Sequence, residues 1–159
     1  MRQRTGIAAS AVVAVAFLVA VGSTAGCQKI RIRLGLGEVV TNPDPGTPEK
    51  LIQEVFKAAR MADESDAWQA FAFLLHSREV SSPAAMNEWQ TIRFPALQRK
   101  SGYLLLDKSS LSYKLIDKQG EGPEMRVFVA NSQSDMPTPC TLRQDPTQGN
   151  AWRVFNACF

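Results

Sequence analysis

Apolar positions along this chain fall into three regimes. From Ile7 to Val21 they are nearly continuous, with Ser10 as the one polar residue and no charge. From Leu51 to about Ile92 they recur every three or four positions, the period of a helix with one buried face. After about residue 102 they alternate with polar residues, the period of a strand.

The helical part has readable boundaries. In Thr47-Pro48-Glu49, threonine suits the capping position, proline the first helical position and glutamate the positive end of the dipole. Leu51, Val55, Phe56 and Ala59 then share a face, which predicts a helix over about 48–61. Ser65-Asp66 can open a second helix, with Trp68, Phe71, Ala72 and Leu75 on the side expected to be most buried. Ser82-Pro83 repeats the cap-then-proline signal for a third helix carrying Met86, Trp89 and Ile92. Pro95 should kink or end it, because proline lacks the N–H and clashes with the preceding turn.

Four strands follow from the alternation: Leu111–Leu115, Met125–Val129, Thr141–Arg143 and Trp152–Phe155. A turn-rich loop over Lys118–Pro123 separates the first two, and Asp145–Asn150 reads as the loop of a closing hairpin. Helices first and strands second predict an α+β class: two to three N-terminal helices on one face of an antiparallel sheet of about four strands. Residues 28–46 hold Gly35, Gly37, Pro43, Pro45 and Gly46 and read as a tether, with Val39-Val40 as a local docking point. The single folded domain is therefore placed at 47–159.

The first apolar run changes the picture from fold to address. Arg2 and Arg4 precede it and small residues follow it, the three-part pattern of a secretory signal peptide. It is short for a membrane span, which needs about 20 apolar residues. Extension through Gly26 reaches the lower limit, so a single-pass protein with an uncleaved helix is the alternative. Thr24-Ala25-Gly26-Cys27 resembles the lipobox of bacterial lipoproteins, with Thr24 where leucine is usual. That resemblance implies cleavage after residue 26, a diacylglycerol on the Cys27 sulfur, and a lipid-anchored tether over 27–46. The membrane is then a partner through the lipid on Cys27. Gln28 is not the aspartate that retains enteric lipoproteins at the inner membrane, so the resemblance points to the outer membrane, facing the periplasm. An ordinary signal peptide whose mature chain keeps a cysteine is the other option.

Cysteine number bears on this. There are three, Cys27, Cys140 and Cys158, and an odd count in an exported chain leaves one to explain. With Cys27 acylated, Cys140 and Cys158 can form a disulfide in an oxidising compartment; two reduced core cysteines are the alternative. A hairpin loop centred near 147–148 sets Cys140 opposite residue 155, so the bridge requires a bulge or an early end to the strand. With His76 as the one histidine and no closely paired cysteines, no metal site and no cofactor is expected.

Charge excludes more than it suggests. Loss of residues 1–26 takes two arginines and no acid, leaving 16 basic and 15 acidic side chains. Lys29-Ile30-Arg31-Ile32-Arg33 is the one basic block, suited to an anionic leaflet, with a solvated tether or, from its period-two alternation, a short edge strand as the alternatives. No nucleic-acid signature appears.

The order of elements from Thr47 to Phe159 resembles the nuclear transport factor 2-like family, the cystatin-like cone. The residues that carry the resemblance are Thr47 to Phe56, Phe71-Ala-Phe-Leu-Leu-His76 and Ala151-Trp-Arg-Val154. It implies a strongly curved sheet around a pocket. Trp89, Phe94, Tyr113, Phe128 and Trp152 are the candidate pocket-lining residues, with core packing as the alternative. His76 is placed near the end of the second helix, where a partly cationic imidazole suits the dipole; as a general base it would need a partner. Asp66, Glu88, Asp107 and Asp117 are the acids that could approach such a pocket. No nucleophile elbow and no phosphate-binding loop is present. The expected function is a non-catalytic domain binding an envelope protein or a small apolar ligand. A periplasm-facing enzyme with His76 or a carboxylate as base is the alternative.

Overall fold

The computed structural model describes residues 37–159. Cys27, the expected signal peptide and the first part of the expected tether lie outside the described residues. The elements in chain order are β1 (Glu38–Val40), α1 (Pro48–Ala59), α2 (Glu64–Ala72), α3 (Ser77–Val80), α4 (Pro83–Glu88), a π turn (Trp89–Arg93), α5 (Phe94–Leu104), β2 (Leu105–Asp107), β3 (Ser112–Gln119), β4 (Glu124–Asn131), β5 (Ser134–Asp145) and β6 (Ala151–Cys158). The class is α+β, with helices before an antiparallel meander.

The sheet has six strands in the order β1-β3-β4-β5-β6, and β2 pairs with β3 beside that path. The expected four are β3 to β6, each longer than its apolar alternation. β1 and β2 are additional. Each spans three residues, too few to display a period of two. β1 takes residues from the stretch read as tether: Val40 pairs with Tyr113 and is buried. The sheet therefore takes in Glu38–Val40, upstream of the boundary expected at Thr47.

Helix α1 forms as its sequence dictates. The Thr47 hydroxyl accepts from the Lys50 N–H at 3.2 Å, and Leu51, Ile52, Val55, Phe56, Ala58 and Ala59 are buried. Each large side chain among them contributes about 1.5–3 kcal/mol on leaving water. The second helix starts earlier than Ser65: Asp63 is the cap, accepting from the Asp66 N–H at 2.9 Å. It also ends earlier, at Ala72. Leu75 is fully buried as expected, but as extended chain in a parallel bridge to Val154. Hydrogen bonds from His76 N–H to Val154 C=O (2.9 Å) and from Val154 N–H to Leu74 C=O (2.8 Å) fix that bridge.

Pro95 neither ends nor breaks the third helical stretch. The chain passes from α4 through a π turn in which the Phe94 N–H reaches the Trp89 carbonyl, and continues as α5. The extra residue in that turn widens it just before proline, where an ordinary turn would carry a missing donor and a ring clash. It also shifts the buried face by one position. Trp89, Phe94 and Leu97 point inward, while Ile92, expected beside Trp89, is 63% exposed.

The core lies between the helices and the inner face of the sheet. Phe71 packs on Trp89 and Phe94 with ring centroids 5.6 and 4.7 Å apart. Phe56 lies between Tyr113 and Phe159 at 5.6 and 5.1 Å. Gly120, with φ +128°, closes the β3–β4 hairpin where a Cβ would collide with the Glu124 carbonyl.

Candidate functional site

Several side-chain bonds meet where β6 approaches the π turn. Between Val154 and Cys158 the β5–β6 ladder shifts register, and Asn156 takes a left-handed conformation with φ +64°. A bulge frees backbone groups, and helical side chains satisfy them. Glu79 accepts from the Asn156 N–H at 3.2 Å and from the Trp89 indole at 2.7 Å. Arg93 donates to the Asn156 carbonyl and pairs with Glu88 at 2.8 Å. The shift brings Cys140 opposite Cys158, and the two form a disulfide with S–S 2.01 Å. The bulge that the sequence spacing required is present.

Beside this corner runs an open groove of about 490 Å³, lined by Ile92, Ala96, Lys100, Pro139, Ala157 and Phe159 among others. Lys100 Nζ donates to the Phe159 carbonyl at 3.0 Å. The groove is apolar with cations at its rim, and it holds no nucleophile with an adjacent base. A second hollow, about 520 Å³, lies along 38–44 with Glu38, Asp44 and Glu49 facing Lys118. Lys118 is engaged there with Glu49 at 2.6 Å.

The five aromatics expected to line a pocket do not converge on one. Trp89, Phe94 and Tyr113 are buried in the core cluster. Phe128 is buried on the opposite face of the sheet from Val127 and Val129. Trp152 is half-buried and borders a shallow hollow of about 150 Å³ beside the start of α1. The reason is area: rings packed on rings remove more apolar surface from water than rings lining a wet cavity. Tyr113 shows this, with its hydroxyl donating to the Glu49 carbonyl at 2.9 Å and its pKa pushed far up by burial and by Glu49 and Glu38.

His76 sits in a different place from the one expected. It follows the end of α2 and caps the start of α3, where its Nδ1 accepts the Arg78 N–H at 3.1 Å. That bond places the ring proton on Nε2. Nε2 is buried without a hydrogen-bond partner, and the ring meets Phe155 edge-on at 5.3 Å. The side chain thus serves the start of a helix and not the C-terminus expected for it, and no acid is bonded to it.

The four acids are held separately. Asp66 is exposed in the first turn of α2. Glu88 pairs with Arg93. Asp107 is exposed and accepts N–H and O–H bonds from Ser109 and Ser110, which hold its pKa below the ordinary carboxylate range. Asp117 accepts from the Lys118 N–H and the Gln119 amide. Among the described residues no group of His, Cys, Asp or Glu is arranged to hold a metal ion.

Two acids that sequence patterning did not single out carry more of the architecture. Glu79 joins the π turn to the β6 bulge, as above. Asp145 is fully buried and caps two turns at once, accepting from Ser77 N–H (2.8 Å), Ser77 Oγ (3.1 Å), Thr147 N–H (2.9 Å) and Thr147 Oγ1 (2.7 Å). Burial pushes its pKa up, and the bonds from Thr147 and Ser77 outweigh burial and bring it below the usual carboxylate value. The Asp-Pro-Thr sequence signals the local turn; the link to Ser77 spans 68 residues and has no local signature.

No family model, no curated protein and no solved structure matches this chain.

Proposed function

We propose that the chain is a lipid-anchored cell-envelope protein, acylated on Cys27, whose domain binds a partner or a small apolar ligand without catalysis. The observation that carries the reading is the disposition of the three cysteines. The Cys140–Cys158 bridge accounts for two of them and leaves Cys27, in its lipobox-like setting, as the odd one. The bridge also suits an oxidising compartment. By the same resemblance we place the protein at the outer membrane facing the periplasm. The helices-then-meander order is compatible with reading the domain as nuclear transport factor 2-like, although the five aromatics chosen for its pocket are not gathered around one cavity. An enzyme with His76 as base draws no support from a ring whose Nδ1 is already an acceptor and whose Nε2 meets no acid.

Mass spectrometry of the mature N-terminus tests this reading. A chain beginning at Cys27 with a diacylglycerol mass is expected; an unmodified chain that retains Met1 would overturn it. Among the described residues no helix is long and apolar enough to cross a membrane, so the single-pass alternative rests on residues 7–26 and is decided by the same spectrum.

A further inference from the structure

We propose that the outward face of the β5–β6 hairpin, centred on Arg143 and Arg153, is a binding site for an oxyanion, a phosphate or carboxylate group. The placement follows from the register. Leu142 and Val154 are direct partners and both are fully buried. Their neighbours Arg143 and Arg153 are also direct partners, so the alternation sets both side chains on the outer face with Cβ atoms about 5 Å apart. Like charges directly opposite on a sheet repel, and sheets ordinarily offset this with an acid.

Here none does. Among the described residues no carboxylate lies within ion-pair distance of either guanidinium. Glu124 is the partner of Arg143 on β4 but forms no ion pair with it. Asp145 lies two positions along β5, and its oxygens are taken by Ser77, Thr147 and Gln148. Arg126 is on the same outer face of β4, diagonal to Arg143, and adds a third cation.

Both guanidiniums rest on aromatic rings. The Arg143 head group lies 5.0 Å from the Phe155 centroid, and that of Arg153 lies 5.4 Å from the Phe73 centroid. Arg153 also donates through Nε and Nη2 to the Gln148 amide oxygen at 2.9 and 2.5 Å, and through Nη1 to the Trp152 carbonyl at 3.1 Å. Stacking of this kind holds a guanidinium flat; the N–H edge of Arg143 and the two Nη hydrogens of Arg153 not used by Gln148 and Trp152 match the oxygens of phosphate or carboxylate. Phe73 is 71% exposed, so an apolar body attached to the anion has a ring to lie on. An anionic lipid headgroup and a small soluble anion share this chemistry.

The test uses the full chain in vesicles of neutral phosphatidylcholine, with the arginine Nε–Hε signals followed by NMR. Inorganic phosphate is added in one arm, and phosphatidylglycerol is included in the membrane in the other. A saturable shift of the Arg143 and Arg153 signals with phosphate supports a soluble anion; a shift only with phosphatidylglycerol supports a headgroup. Either response should weaken at least tenfold in Arg143→Gln/Arg153→Gln and stay unchanged in Lys108→Gln, an exposed cation on the β2–β3 turn. Without anion, Arg143→Gln should melt no lower than the parent, because it removes a repulsion; a clear loss of stability would mean a purely structural role. No shift in either arm, or an undiminished one in the double variant, overturns the proposal.

Discussion

Cys140 and Cys158 are direct partners across β5 and β6, although the hairpin's own register sets Cys140 elsewhere. Leu142 pairs with Val154. Stepping back two residues on β5 to Cys140 corresponds to Asn156 on a regular ladder, yet the observed partner is four residues on from Val154. The bulge at Asn156 absorbs the difference, and Glu79 and Arg93 bind its backbone.

Because that bulge leaves β6 irregular, the disulfide should matter to stability. The cysteines are separated by 18 positions, and a loop of this length is worth about 3 kcal/mol through the unfolded state. Cys140→Ala/Cys158→Ala should therefore lower the urea midpoint by an amount equivalent to about 3 kcal/mol, as should reduction of the parent. Paired denaturation curves with and without dithiothreitol check this. Equal midpoints would show that Glu79 and Arg93 hold the strand without the bridge.

The π turn makes a sharper forecast, since it separates two residues that helical periodicity treats as equivalent. Trp89 is 1% exposed and bonded to Glu79, whereas Ile92 is 63% exposed. Trp89→Ala should cost about 3–5 kcal/mol through the cavity it leaves. Ile92→Ser should stay within about 0.5 kcal/mol, as surface changes do. Comparable losses at both positions, read from thermal melts, would restore the unshifted face and remove the π turn.

Much of this fold is legible locally, and the exceptions have identifiable causes. Thr47-Pro48 and Ser82-Pro83 open helices as written because capping involves neighbours only. The four longer strands follow from alternation that a half-buried sheet enforces. Ile92 and Leu75 mislead for different reasons: one inserted residue rotates the face at the first, and a bridge to Val154 pulls the second out of its helix. The candidate site was less visible. Asp145 reaches Ser77 and Glu79 reaches Asn156 across most of the domain, and such bonds leave no spacing to read. Arg143 and Arg153 look like ordinary polar positions until the register sets them side by side.

The anchor predicts a cellular outcome. If two acyl chains on Cys27 hold the protein, each buried methylene adding about 0.8 kcal/mol, their loss should release it. Cys27→Ser should either accumulate as an unprocessed precursor or leave the membrane fraction on washing. A variant that is processed as the parent is, and stays wholly in that fraction, would contradict acylation as the basis of attachment.

Asp145 contributes to the acid sensitivity of the fold. Its pKa is lowered in the folded state, so the unfolded chain binds a proton at a pH where the native one does not. The stabilisation is therefore complete above the unfolded carboxylate value of about 4 and is lost as pH falls through the lower folded value. Asp145→Ala removes the two oxygens that accept four bonds from Ser77 and Thr147 and should cost about 3 kcal/mol at pH 7. Asp145→Asn keeps the shape but faces the Ser77 or Thr147 N–H with a donor, and should cost about half as much. Urea denaturation at pH 7 and pH 3 separates the linkage from the packing. The parent should lose more stability on acidification than either variant, because neither carries a carboxylate there to protonate. A parent whose midpoint falls no more than the alanine variant's would show that the two turns capped by Asp145 do not depend on its charge.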